Sequence, residues 1–125
     1  MKRDMDLVRQ ILIETEKAEG PLQGEHFADK EHGISQVAYH IEMMEHHGLL
    51  EANLRIDKFY NVYKCEIVAL TWDGCDYLDA IRDQSIWAKT KQVVKEAVGS
   101  TTLDVIKETA KLVAIGAIKA QLGMM

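Results

Sequence analysis

Cysteine is scarce in this chain. Cys65 and Cys75 are its only two, they do not form a CxxC pair, and neither a disulfide framework nor a structural zinc knuckle can be built from them. Two buried thiols in a reducing compartment are the expectation. Long apolar runs are lacking too: the most apolar window, Leu112 to Ile118, is closed by Lys111 and Lys119, far short of the roughly twenty apolar residues that cross a bilayer. No apolar stretch follows the basic start Met1-Lys2-Arg3-Asp4-Met5-Asp6, as a secretion signal requires. A cytoplasmic protein with no membrane partner is expected by elimination. Repeats and low-complexity tracts are missing, so most of the chain is expected to be ordered. An excess of base is missing as well. The net charge is -5, and an acidic protein has no general attraction for phosphate, so any nucleic-acid role has to rest on a local patch.

The acid is unevenly placed. Residues 1–83 carry 9 Lys/Arg against 17 Asp/Glu, a net -8, while residues 84–125 carry 6 against 3, a net +3. With 47% apolar and 28% charged residues, a 125-residue chain can bury one hydrophobic core. The expected organisation is one structural unit: a domain over 1–83 with a helical extension, 84–125, packed on it.

Leu7, Val8, Ile11, Leu12 and Ala18 recur at helical spacing between Asp4, placed to cap, and the stop Gly20-Pro21, which predicts a helix from Asp4 to Glu19. The stretch 22–33 offers only Leu22, Phe27 and Ala28 to bury and reads as a loop with a short strand or a turn of helix. Ser35 can cap a second helix over 35–47, with Val37, Ile41 and Met44 as its inner stripe, Ile34 stapled onto Tyr39, and Gly48 as a left-handed stop. Leu50, Ala52, Leu54 and Ile56 then alternate with Glu51, Asn53 and Arg55, the period of a strand with one buried face. A second strand follows over 62–70, with Asp57 to Asn61 as the hairpin tip. Thr71 caps a helix carrying Trp72, Leu78 and Ile81, and Arg82 to Ser85 marks a bend or a new cap. A helix from Ser85 to Val98 buries Ile86, Val93 or Val94, and Ala97, and stops at Gly99. Thr101-Thr102-Leu103-Asp104 opens the last helix, which runs to about Leu122. Its run 112–118 is apolar on more than one side. Burial in the core and a homodimer seam through residues 103–122 both fit, because periodicity does not separate them.

Motifs for catalysis are not assembled. Glu42 and His46 have the spacing of two metal ligands on a helix, but two ligands do not make a site, and in His40-Ile41-Glu42-Met43-Met44 a methionine stands where HExxH needs its second histidine. Cys65 and Asp76 lack a nucleophile elbow, and there is no Gly-rich phosphate loop or paired-carboxylate motif. No catalytic residue, metal or cofactor is expected, and the chain is not expected to be an enzyme. His46-His47 before Gly48 read as caps of the carbonyl end of a helix.

A helix whose glycine stop runs straight into a two-stranded hairpin is the layout of a winged helix-turn-helix. The expected fold is mainly α with a small antiparallel β hairpin, a winged helix-turn-helix core plus C-terminal helices. Beyond the layout, the blocks Met1-Lys2-Arg3-Asp4-Met5-Asp6-Leu7-Val8, Val37-Ala38-Tyr39-His40, Gly48-Leu49-Leu50, Leu70-Thr71-Trp72-Asp73-Gly74 and Leu78-Asp79-Ala80-Ile81-Arg82-Asp83, with Trp87 and Leu103-Asp104-Val105-Ile106-Lys107, resemble the domain of unknown function 2513 family, small proteins of bacteria and their phages and prophages. The resemblance covers nearly the whole chain and departs at 22–33, which is poor in the features of a full second helix. It implies a winged-helix fold and a phage or prophage setting, and no activity.

On such a fold the helix 35–47 would enter a major groove with Gln36, Tyr39, His40, Met43 and His47 outward, while Arg55, Lys58, Phe59, Tyr60 and Lys64 of the hairpin touched backbone or minor groove. Against this, the helix has Glu42 and Glu45 and no Lys or Arg, and residues 51–71 balance three acids with three bases. The partner is therefore read as DNA, for a regulator, or as a protein, for an assembly module using the same surface. Phe59, Tyr60 and Tyr63 would anchor a protein partner if exposed and pack under the wing if not. Lys91 with Lys95, and Lys107 with Lys111, read as solvated helix faces.

Overall fold

Asp4 stands in extended backbone, and its carboxylate accepts from the amides of Asp6 and Leu7 at 3.0 and 3.2 Å. That satisfies N–H groups that a helix start leaves without partners, and it opens α1 (Met5–Lys17), which buries Leu7, Val8, Ile11 and Leu12 along one stripe. In the computed structural model, which describes residues 2–97 and 102–123, the chain forms two compact units. The first runs through Asp76 and the second starts at Tyr77.

The stretch after Pro21 contains both structures considered for it, a two-residue strand β1 (Leu22–Gln23) and a single 3-10 turn, Gly24–Phe27, anchored by the buried Phe27. Ala28 is exposed, contrary to the expectation that it would be buried. Helix α2 (Ile34–His46) buries Val37, Ile41 and Met44 as its spacing predicts. Ser35 does not cap it: Gly33 holds the cap position, and the Ser35 hydroxyl instead donates to the Tyr60 carbonyl at 3.4 Å. Gly48, at φ +74°, makes the left-handed stop that glycine adopts without a Cβ penalty.

Strands β2 (Leu50–Ile56) and β3 (Val62–Leu70) have the predicted bounds, and β2 alternates strictly between exposed and more buried residues. The sheet is antiparallel in the order β1-β3-β2, with Leu22 opposite Ile67. Register shifts between Glu51 and Ala52 and between Arg55 and Ile56 leave Val68 and Tyr63 of β3 without partners on β2, and both are exposed. A bulge takes its extra residue out of the period-two pattern. Helix α3 (Trp72–Ile81) is capped by Thr71, whose hydroxyl accepts from the Gly74 amide at 3.0 Å and donates to the Gly48 carbonyl. Trp72 is 83% exposed.

The second unit continues from α3 into α4 (Gln84–Ala97) and α5 (Leu103–Gln121). Asp83 supplies the new cap considered for 82–85, accepting from the Ile86 amide at 2.9 Å. Thr102 caps α5 through the Val105 amide at 3.1 Å. Leu78, Ile81, Trp87, Val94, Ile106 and Ala110 are buried, whereas Ile86 and Val93 are half-buried. The Tyr77 hydroxyl donates to the Leu103 carbonyl at 2.7 Å, and burial, then the charge of Asp104, raises its pKa. The Ala97 side chain, the stop at Gly99 and Thr101 lie outside the described residues. Core burial of the run 112–118 is not found: Leu112, Ile115 and Ile118 are exposed within the chain. No described helix is long and apolar enough to cross a membrane.

Candidate functional site

The hairpin tip is a built turn. The Asp57 carboxylate accepts from the amides of Phe59 and Asn61, both at 2.8 Å, from the Asn61 side chain at 2.9 Å and from the Tyr63 hydroxyl at 3.3 Å. The Asn61 bonds, backbone before side chain, outweigh desolvation and with the Phe59 and Tyr63 bonds hold the Asp57 carboxyl below the usual carboxylate range. Tyr60 sits at φ +65°, a left-handed conformation uncommon outside glycine, at the position where the chain reverses. Its ring turns back toward α2, where burial, then the carboxylate of Glu42, raises its pKa. Phe59 points the other way and is 76% exposed, with the Lys58 ammonium 5.3 Å from its ring centre.

Behind the tip, Arg55 and Lys64 face each other across β2 and β3, and both are exposed. Like charges directly opposite in a sheet weaken it. The next rung is occupied differently: Glu66 accepts from Asn53 at 3.0 Å and from Gln23 at 3.2 Å, and these bonds, with the charge of Lys64, hold its carboxyl below its ordinary pKa. The result is a cationic pair on the wet face of the hairpin, continued by Lys58 at the tip.

The α2 side differs from the expected contact surface at one residue above all. His40 is 2% exposed. Its Nε2 accepts from the Asp4 amide at 2.8 Å and its Nδ1 donates to the Gln36 carbonyl at 2.7 Å, which defines a neutral ring with the proton on Nδ1. It is a structural histidine and not a contact residue. The signal for this was in the sequence, since residue 40 lies three after Val37 and four before Met44, on the stripe that α2 buries. Gln36, Tyr39 and Met43 are half-buried, and His47 is exposed and caps α2 by donating from Nδ1 to the Met43 carbonyl at 3.0 Å. Helical geometry puts Ser35, Tyr39, Glu42, Met43 and His46 on the outer face, so Glu42 and His46 belong to the surface and His40 does not. Glu45 is engaged at the edge of the sheet, where its carboxylate accepts from the Ala52 amide at 2.9 Å. Tyr60 is likewise half-buried, so of the three hairpin aromatics only Phe59 and Tyr63 are exposed anchors.

Asp4 also ties the N-terminal end of α1 to the 29–33 loop, because its carboxylate meets the His32 Nε2 at 2.7 Å. The hydrogen bond to Asp4 outweighs desolvation and, with the charges of Asp4, Asp29 and Glu31, raises the His32 pKa above its usual 6.5. Desolvation would raise Asp4, but the His32 hydrogen bond, the Leu7 and Asp6 amides and the His32 charge together lower it. The two shifts describe one interaction. A raised histidine contributes stability that is complete below its ordinary pKa and is lost as pH rises through the folded value; the lowered aspartate contributes above its ordinary pKa and fails as pH falls through its folded value. Wild type should therefore lose more stability than His32→Gln between about pH 5.5 and about pH 8, read from urea midpoints at the two pH values. Equal losses in both would show that the pair contributes nothing.

Cys65, in β3, is buried, and burial, then the charge of Glu25, pushes its thiol up to about 11, so it behaves as a small apolar side chain. Cys75 is half-buried. Among the described residues no group of three or more His, Cys, Asp or Glu could hold a metal ion.

The fold and this surface define a mainly helical protein with a three-stranded antiparallel sheet and a cationic, aromatic-tipped hairpin. The chain belongs to the family described as Hypothetical protein (DUF2513), whose profile matches residues 2–101, in agreement with the resemblance of its sequence blocks. A protein of Haemophilus influenzae described as an uncharacterized protein is 33% identical over 118 residues, covering 90% of this chain and 95% of its own length. No solved structure matches the chain.

Proposed function

We propose that the chain is a non-enzymatic winged-helix module that binds duplex DNA through its hairpin, as part of a regulator. The observation that carries this is the Arg55–Lys64 cross-strand pair, two exposed like charges held opposite each other on the hairpin. A sheet gains nothing from that arrangement by itself, whereas a phosphate oxygen placed over it would neutralise both. Lys58 and the exposed Phe59 extend the surface toward the groove beyond. The order helix, strand, turn, helix, hairpin, with strand order β1-β3-β2, supports the winged-helix reading.

A protein partner is the second reading, favoured by the outer face of α2, which carries Glu42 and no Lys or Arg beside the exposed rings of Phe59 and Tyr63. Fluorescence anisotropy with random duplex DNA over rising salt separates the two. Binding at low salt is expected, with the slope of log affinity against log salt falling by about 0.9 for each of Arg55→Ala and Lys64→Ala. Absence of binding at low salt would remove the DNA reading and leave the protein partner.

A further inference from the structure

Thr15 is a polar residue on an apolar stripe. It completes the side that α1 buries and is itself 8% exposed, yet its hydroxyl oxygen, also buried, has no hydrogen-bond partner among the described residues. Valine would fill nearly the same space without taking an unpaired polar group out of water. Thr15 lines a surface cleft of about 360 Å³ between the end of α1 and the end of β3. The sheet topology makes this opening. β1 pairs only with Glu66 and Ile67, so the last residues of β3 run on past it, and the bulge after Glu51 leaves Val68 exposed there. Val68, Ala69 and Leu70 form an apolar wall, and the half-buried Cys75 of α3 lines the cleft as well.

We propose that this cleft takes a lysine or arginine side chain from a basic segment of a partner protein. The sign of the ligand follows from the charges around it. Glu16 and Glu19 line the cleft and are exposed, while Lys17 falls on the opposite side of α1 from Thr15. No Lys or Arg occurs between Lys64 and Arg82, and residues 1–76 carry 8 Lys/Arg against 15 Asp/Glu, a net -7. An N–H of the bound cation donates to the Thr15 hydroxyl, the carboxylates balance its charge, and its methylene stem lies along the apolar wall. The exposed Trp72, three residues before Cys75 and so on the same side of α3, offers a ring face to a neighbouring cation. A protein is the source because the cleft is an open surface feature, whereas a free small ligand is held by burying most of its surface. A side chain carried on a larger partner gains the surrounding acidic and aromatic surface in addition. The cleft lies at the end of β3 away from the hairpin tip, and the inference does not rest on the DNA reading.

Hexalysine is the probe and Cys75 the reporter, in the full chain at low salt. Cys65 is buried with a raised pKa and reacts slowly, so the first iodoacetamide adduct, followed by mass spectrometry, forms at the cleft. Hexalysine is expected to slow that alkylation saturably, and its titration yields Kd. Thr15→Val should weaken binding about fivefold while leaving the urea midpoint unchanged or higher, since it removes a buried polar group that the free chain does not pair. Glu19→Gln should weaken it about threefold, and Glu51→Gln, the same change of charge on β2, should not. Failure of hexalysine to protect Cys75 overturns the proposal, as does equal weakening by Glu19→Gln and Glu51→Gln, which would mean that the peptide follows net charge alone. Protection by spermidine and not by hexalysine overturns the protein partner. A Thr15→Val chain less stable than wild type overturns the role of the hydroxyl as a ligand group.

Discussion

Gly74→Ala is expected to destabilise the first unit by about 3 to 4 kcal/mol. Gly74 is buried in the first turn of α3, and a β carbon there would overlap the carbonyl oxygen and carbon of Leu49. These are backbone atoms, so no side chain can swing away. Relief requires the start of α3 to draw back from Leu49, which breaks the bond from the Thr71 amide to the Leu49 carbonyl at 3.1 Å and the one from the Thr71 hydroxyl to Gly48. Those bonds join the end of the hairpin to its beginning. Against a typical domain stability of about 5 to 15 kcal/mol, such a loss lowers Tm by well over about 10 °C. Thermal and urea unfolding measure it, with Gly20→Ala as the control, because a β carbon at Gly20 meets nothing within 4 Å. A Gly74→Ala loss as small as the control's would mean that α3 is not pressed on Leu49.

His40→Ala is expected to cost about 2 to 4 kcal/mol. The substitution opens a cavity where the ring lies 2% exposed, and it strips partners from the Asp4 amide and the Gln36 carbonyl at once. The first of these sits at the start of α1, so the cap and the α1–α2 packing weaken together. Phenylalanine would refill the space without restoring either bond, so His40→Phe should recover only part of the loss. The readout that separates structure from recognition is DNA affinity measured at a temperature where the variant remains folded. Affinity per folded molecule should be unchanged, since His40 presents no atom to a ligand. A variant of wild-type stability with lost affinity would restore His40 to the contact surface.

The elements with the strongest local signals matched their predicted bounds closely. β2 and β3 were readable because period-two alternation and a glycine stop before Leu49 are written into contiguous residues. Asp4 and Thr71 were readable as caps for the same reason, since a cap bonds an amide two or three residues away. β1 was not readable as a definite strand. Two residues have no period, and Leu22–Gln23 is a strand only because β3 lies beside it. At the candidate site, Arg55 and Lys64 were recognisable as exposed bases, but their position opposite each other was not, because the bulge after Arg55 resets which residue faces which. His40 was misplaced because a polar residue type was given more weight than its position on the stripe that α2 buries.

By itself the sequence determined the order of the main helices, the bounds of β2 and β3, and the family, because caps, stops and periodicity act between near neighbours along the chain. Only the tertiary structure decided that His40 is spent on Asp4, that Tyr60 folds under the hairpin while Phe59 stands clear, and that the apolar side of α5 faces outward. Each of these depends on which atoms of a distant segment arrive at hydrogen-bonding or van der Waals distance, and no local pattern encodes that meeting.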